Sequence, residues 1–485
     1  MKHFSKLLIF FAGFSLLLSS CEDSHSYVPV ISDVPCGVVV NQGAMGYMPI
    51  MKIYTAGSAP ITSKSEYVRG GVQIIASGEH EVWALDSVGM QIRGRGNSTW
   101  GAEKKPYRIK LDKKRSLLGM KPSKNWVLLA NWFDRTMLHT PIAFYLGQRS
   151  KLEWTPSGEF VELYLNDEYI GCYYLCEKIE VSEARLNLPS GAFLLEVDDP
   201  NRFDEDDVIF STIRNTFVIK EPKVISGDDA WSWIRDYITI FDQTLYSPTW
   251  LDDTQGYANF VDKETFADWA LINEILKNTD AVFFNSCYMY VTPGGAIKMG
   301  PLWDFDLSLG TTSNLAAFGP EGFWVNQGAW LGKMWLDPSI SILLRERFDY
   351  FKTLMPALFE YIDSQAAYIS DAVAHDETVW NTWKRDNGMY HYSSMYSSNS
   401  FCGEVYAIKE FLKKRIEWLD ANLPQGETAA IHSVTTDPLS DTRERGSSSI
   451  VGYYNLQGQR ITTPQRGQLV IVRYSDGTSR KMLVQ

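Results

Sequence analysis

Residues 278–306 read NTDAVFFNSCYMYVTPGGAIKMGPLWDFD, and the fold turns on how this ribbon is interpreted. Ser286 to Val291 alternates in the manner of a strand, Pro293-Gly294-Gly295 is turn chemistry, and Ala296 to Trp303 returns. In an unbulged hairpin the numbers of facing residues have a constant sum. A tip centred between Gly294 and Gly295 sets that sum at 589, which predicts that Asn285 faces Asp304 with Cα atoms about 4.5–5.5 Å apart. Asp280 lies just upstream of the same strand end, and Asp306 stands two residues past Asp304.

One ribbon end would then gather three carboxylates and an amide oxygen. Hard oxygen donors of this kind suit Mg²⁺ or Mn²⁺, with substrate phosphates and water completing the shell. The chain order also matches that of phosphoryl-transfer enzymes. There a loop Asp takes the hydroxyl proton, an Asn five residues on holds metal, and a hairpin leads to a second metal-binding Asp. That assigns Asp280 as the catalytic carboxylate and Asn285, Asp304 and Asp306 as metal donors. The His-Arg before the Asp and the Gly after the Phe of that pattern are missing.

Phosphate also calls for cations. Residues 92–99, IRGRGNST, form a glycine-punctuated turn whose backbone can approach an anion closely, with Arg95 inside it. Tyr107, Ile109 and Leu111 alternate with Arg108 and Lys110, so these two cations oppose an apolar face and are candidates for a cleft. Lys104, Lys105, Lys113 and Lys114 read as solvated surface charges.

Working outward, the N-terminus has a basic start at Lys2 and Lys6, an apolar run over residues 7–18, and then Leu18-Ser19-Ser20-Cys21. This is a secretory signal ending in a lipobox, with Cys21 as the lipidated residue after removal of residues 1–20. The acidic Glu22 and Asp23 resemble the surface-export signals of Bacteroidetes lipoproteins, which places the protein in the cell envelope, at the outer membrane or cell surface. Loss of Lys2 and Lys6 moves the net charge from −12 to −14, which argues against nucleic acid as a partner. Six cysteines minus a lipidated one leave an odd number, so no disulfide framework is predicted and the remainder read as mostly buried thiols.

Residues 21–36 suit a tether. Short strand-like runs dominate the chain from Gly37 to Ile219, including a hairpin from Phe160 to Glu180, with a helical stretch at Thr136 to Arg149 among them, and helical periodicity takes over after Asp228. Helices are predicted at Ala230 to Leu245, Lys263 to Lys277 with Asp262 as N-cap, Phe348 to Ile369 and Val405 to Leu423. Strands first and helices later give an α+β body over 37–424. A polar linker at 425–449 leads to a small C-terminal β module at 450–485.

Several motifs in order resemble the CotH family of spore-coat kinases. They are residues 93–99, the basic strand 104–111, LANWFDR at 129–135, residues 171–177 and PLWDFD at 301–306. The resemblance runs from about Ile50 to Leu423. It implies a divergent, two-lobed protein-kinase-like fold, β-rich in the N-terminal lobe and helical in the C-terminal lobe. It also implies ATP between the lobes, Mg²⁺ or Mn²⁺ as cofactor and a protein as phosphate acceptor. By the same resemblance Asp280 is the catalytic aspartate, Asp304 a metal ligand, Trp303 the adenine-packing ring, and residues 172–177, ending at Glu177, the connector between lobes. No glutamate partner for a phosphate-binding cation is assignable, since the helix after Asp134 contains no Glu.

Two other readings compete. The 16 Trp and 25 Tyr could furnish binding platforms on a non-catalytic surface adhesion protein with a kinase-like scaffold. Alternatively, Asp304 and Asp306 could belong to a glycoside hydrolase, which needs paired carboxylates and no metal.

Overall fold

The computed structural model describes residues 48–203, 207–312, 314–384, 400–424, 450–454, 460–464, 469–474 and 479–483. The signal, Cys21, the tether and the linker therefore lie outside the described residues. The architecture is mixed α+β, and its first half closes into a barrel.

Seven strands build that barrel: β1 (Ile50–Thr55), β2 (Val68–Ile75), β3 (Leu85–Gly94), β4 (Tyr107–Arg115), β5 (Ser123–Leu129), β6 (Gly158–Leu165) and β7 (Glu168–Glu177). Their order is β1-β2-β3-β4-β5-β7-β6, and β1 closes the ring by pairing in parallel with β6. Period-two alternation fills the interior: Met51 and Ile53, Met90 and Ile92, Ile109 and Leu111, and Val161 and Leu163 are all buried. Arg108 and Lys110 consequently point outward, as the alternation predicted.

The β6–β7 hairpin turns at Asn166 and Asp167, both with positive φ (51° and 68°). Two left-handed residues in a two-residue loop match the right-handed twist of the flanking strands, and Asn and Asp tolerate that conformation. β7 is buried on both faces. Tyr173 and Leu175 point into the barrel, while Cys172, Tyr174 and Cys176 join the second, larger core. The strand is thus the shared wall of the two halves.

The larger core unites α1 (His139–Gly147), a five-stranded sheet and the helices that follow. The sheet contains β8 (Phe193–Val197), β9 (Ile209–Ser211), β10 (Thr216–Glu221), β11 (Cys287–Val291) and β12 (Ile297–Met299), in the order β12-β11-β8-β10-β9. The helices are α2 (Asp229–Leu245), α3 (Lys263–Leu276), α4 (Ala329–Met334), α5 (Pro338–Trp380) and α6 (Phe401–Asn422). Asp262 caps α3 by accepting from the Thr265 N–H, and Lys277 ends it in a left-handed conformation. α5 begins ten residues before the predicted Phe348. Its start signal is Asp337 accepting from the Ser339 N–H with Pro338 in the first turn. The C-terminal segment contributes β13 (Ile450–Tyr454), β14 (Arg460–Ile461), β15 (Leu469–Tyr474) and β16 (Ser479–Leu483), paired as β14-β13-β15-β16. Among the described residues no helix is long and apolar enough to cross a membrane.

Three expectations need correction. The β11–β12 pairs are Met289 with Met299, Tyr290 with Lys298 and Val291 with Ile297, a sum of 588 rather than 589. The connecting loop therefore spans Thr292 to Ala296, closed by Gly295 N–H donating to the Thr292 carbonyl, and the ladder ends before Asn285 can face Asp304. Second, Lys104 is not a solvated charge. It is 2% exposed, and its Nζ donates to Asp376 Oδ1 at 2.5 Å and to the Cys172 carbonyl at 2.7 Å. Third, Cys402 is disulfide-bonded, while Cys172, Cys176 and Cys287 are buried free thiols.

The Lys104–Asp376 pair joins the loop after β3 to α5, and Asp376 Oδ1 also accepts from the Cys172 N–H. Gly171 makes the approach possible. It sits at φ 120°, and a Cβ there would stand 2.4 Å from Asp376 Oδ1. Asp376→Ala would strand a buried ammonium, so denaturant unfolding should show a loss of about 3–5 kcal/mol. Most of it should return in the Lys104→Met/Asp376→Leu double variant, and equal stability of the single variant and wild type would refute the clamp.

Candidate functional site

A cavity of about 210 Å³ opens between the barrel and the five-stranded sheet. Its upper wall is the end of β3 at Arg93 and the turn that follows, from Arg95 to Thr99. Its lower wall is Asp280, Ser286, Trp303, Asp304 and Asp306, and Glu196, Asp198, Arg202 and Lys220 stand at one side. A smaller cavity of about 30 Å³ adjoins it and shares Arg95, Thr99, Trp303, Asp304 and Asp306.

The lower wall is an irregular pairing of two segments. Thr279 N–H and Oγ1 both donate to the Leu307 carbonyl at 3.0 Å, and Leu309 N–H donates to the Leu276 carbonyl at 2.7 Å. Buried Asn278 donates from Nδ2 to the Asp304 carbonyl at 3.3 Å. Asp304 and Ser286 both have positive φ (63° and 52°), and Ser286 Oγ donates to Asp304 Oδ2 at 3.2 Å. Non-glycine residues hold that conformation only where their surroundings over-determine it.

His139 supports the segment from behind. Its Nδ1 lies 3.3 Å from the Asp306 carbonyl and its Nε2 3.4 Å from Asp134 Oδ1. Asp134 is itself held by the Thr136 hydroxyl and by the Thr136 and His139 N–H groups. Sequence reasoning passed over His139, Asn278 and Ser286, although Asn278 and Ser286 adjoin assigned residues.

The three aspartates feel one another. Burial first, and then Asp304, push the Asp280 carboxyl up to about 6, against the opposing pull of Arg202 and Asn285. Asp306 is raised well above the ordinary carboxylate range by burial and by Asp304, Asp280 and Asp134, with Arg95 opposing. Even so, among the described residues no group of three or more His, Cys, Asp or Glu side chains is drawn close enough to hold a metal by itself. The donors fit a hard cation whose shell is completed by water and substrate oxygens, and do not form a protein-only cage.

The other predicted residues divide. Trp303 is half-buried on the cavity wall, 6.4 Å from Phe144 between ring centroids, and the Arg95 guanidinium lies 5.5 Å from its ring. Asn285 is buried behind the wall. Its Oδ1 accepts from the Asp199 N–H at 3.2 Å, and its Nδ2 makes no well-formed hydrogen bond, although the side chain lies near enough to Asp280 to favour its charged form. Arg108 sits opposite Arg93 across β3–β4, one step off the wall. Lys110 is exposed opposite Gln91, too far along the strand to reach the cavity. Glu177 turns away altogether. It pairs with Arg185 at 2.7 Å and accepts from the Ser157 N–H, so it does not face the cavity.

The family model described as CotH kinase protein matches residues 92–419, and the chain belongs to that family. No curated relative matches it. The matched region contains both cavity walls.

The Asp280 shift has a consequence for stability. Its folded-state value, about 6, exceeds the ordinary 3.8, so ionising it opposes folding. The protonated form carries no penalty below about pH 4, and the full penalty is present above about pH 6. In metal-free buffer Asp280→Asn should unfold at higher urea than wild type at pH 7.5, by about 1–3 kcal/mol. The two should converge at pH 4, and a gap independent of pH would contradict this assignment.

Proposed function

We propose that the chain transfers the terminal phosphoryl group of ATP to a hydroxyl of a protein acceptor, with Mg²⁺ or Mn²⁺. In this reading the barrel is one lobe, the five-stranded sheet and helices are the other, and nucleotide enters between them. The observation that carries it is the meeting of Asp280, Asp304 and Asp306 on one wall of a cavity whose opposite wall is a basic, glycine-rich turn. A bound divalent ion would supply charge neutralisation at the phosphates.

The residues divide the remaining work. Asp280 takes the proton of the acceptor hydroxyl as its oxygen bonds to the terminal phosphorus and the bond to the ADP oxygen breaks. A carboxylate raised to about 6 is still mostly ionised at neutral pH and is a better base than an ordinary one. Asp304 and Asp306 would hold the metal, with Ser286 fixing the Asp304 carboxylate. Trp303 offers an aromatic face to the adenine, and Arg95, against that ring, offers charge to the phosphates. Asn285 acts from behind Asp280.

The proposal extends to the site of action. With residues 1–20 as an export signal and Cys21 as a lipid anchor, the domain would act in the cell envelope of a Bacteroidetes-like cell. A disulfide at Cys402 supports an oxidising compartment.

Incubation with labelled ATP and Mg²⁺ or Mn²⁺ tests the chemistry. Asp304→Ala should lose metal-dependent nucleotide binding and transfer together. Asp280→Asn should keep nucleotide affinity within about threefold and lose transfer by a factor of about 100 or more. Undiminished phosphorylation by Asp280→Asn would remove Asp280 from the mechanism. Wild-type nucleotide affinity in Asp304→Ala would remove Asp304 from the metal site.

A further inference from the structure

Arg93 and Arg108 share the outer face of β3–β4, with Arg95 just past the end of β3. Arg93 and Arg108 are direct cross-strand partners, and Arg95 follows Arg93 by two residues. Like charges directly opposite on neighbouring strands destabilise a sheet. Among the described residues none of the three has a carboxylate within ion-pair distance. The Nε atoms of Arg93 and Arg108 are buried and have no hydrogen-bond partner.

The local compensation is slight. The Arg93 guanidinium lies 5.2 Å from the Tyr67 ring centroid. Glu180 is near Arg108, but its two oxygens already accept from Ser123 Oγ and Asn125 Nδ2. Burial, and then the repulsion of Arg93 and Arg95, hold the Arg108 guanidinium below its ordinary value. Elsewhere several enclosed cations have carboxylate partners: Lys104 with Asp376, Arg185 with Glu177, Arg347 with Asp268 and Arg415 with Glu274. An enclosed guanidinium pair without a counter-charge is costly in the free protein, and a multiply charged anion removes that cost. Guanidinium forks suit phosphate oxygens, and the neighbouring glycine-rich turn leaves room for them.

We propose that Arg93 and Arg108 form a polyphosphate-binding site on the barrel wall that works without a metal ion and takes the phosphate tail of the nucleotide. The assignment to a nucleotide rests on the function proposed above, whereas the affinity for polyphosphate does not. Inorganic tripolyphosphate in EDTA-containing buffer is the probe, with binding to the purified chain followed by calorimetry. Wild type should bind it, and Arg93→Gln and Arg108→Gln should each bind at least tenfold more weakly. Asp304→Ala should bind as tightly as wild type or more tightly, because only the acidic wall has changed.

In phosphate-free buffer Arg108→Gln should melt at or above the wild-type temperature, since a like-charge contact has been relieved. Absence of tripolyphosphate binding by folded wild type, or wild-type affinity in either glutamine variant, would overturn the site. So would a lowered melting temperature of Arg108→Gln, which would make the arginine a structural residue. If tripolyphosphate binds as described but ATP yields no transfer, the anion site stands and the kinase reading falls.

Discussion

Three carboxylates on one wall of one cavity repel each other, and most of the surrounding structure can be understood as what keeps them there. Burial first, and then the neighbouring aspartates, raise the Asp280 and Asp306 carboxyls, so both would ionise more readily if the group opened to water or separated. The restraint is backbone. The segments 276–280 and 304–309 are tied carbonyl by carbonyl through Thr279, Leu309, Asn278 and His139. Below them α3 is locked by Glu274, which accepts from the Trp324 and Val325 N–H groups and pairs with fully buried Arg415 of α6. Removing either member of that pair would leave a charge in the core, so the platform beneath the aspartates yields only by unfolding.

The upper wall is fixed to this platform through β7, a strand with one face in each core. Three side chains near the end of α5 grip the barrel around it. Asp376 takes Lys104 and the Cys172 N–H, Trp380 donates to the Ile170 carbonyl, and His375 stacks on Tyr169 at 3.7 Å while contacting Glu162. Lys104 follows the glycine-rich turn by only a few residues, so the turn that bears Arg95 is referenced to the helices through a buried charge. The separation of the two cavity walls is thus set by side chains from a helix that lines neither.

How much of this was legible depends on whether the information was local. Strand alternation in β4, the hairpin between Phe160 and Glu180 and the Asp262 cap rest on short stretches of sequence, and each reads correctly. The convergence of Asp280, Asp304 and Asp306 was also legible, because one short ribbon brings them together. Its register was not, since a five-residue loop and a symmetric two-residue tip share the same Pro-Gly-Gly and differ by one in the pairing sum. Lys104, Glu177 and His139 failed for another reason. Each is defined by a partner that sequence proximity does not reveal: Asp376 is 272 residues from Lys104, and Asp306 is 167 from His139. Arg185 is close to Glu177 in sequence, but only the fold shows that it turns the carboxylate away from the cavity.

The cavity as a whole is close to electrically balanced, with six acidic and five basic side chains on its lining. A balanced lining exerts little long-range pull on a charged ligand at physiological ionic strength, where fields fade within about 8 Å. Segregation matters more than the sum. Lys220 is already paired with Glu196 and Asp207 at the side, which leaves above it arginines with no ion pair among the described residues, and crowded aspartates below. Each wall is unfavourable alone, and among the described residues no ion pair joins Arg93 or Arg95 to the three aspartates, although Arg95 eases the charge on Asp306. A ligand that presents anionic oxygens upward and a cation downward relieves both at once, and neither half of it gains as much alone. Because binding free energies are linked, occupancy of one wall must strengthen the other by the same factor that it is itself strengthened. A metal–polyphosphate complex has that distribution of charge, whereas a neutral sugar or an apolar peptide face does not.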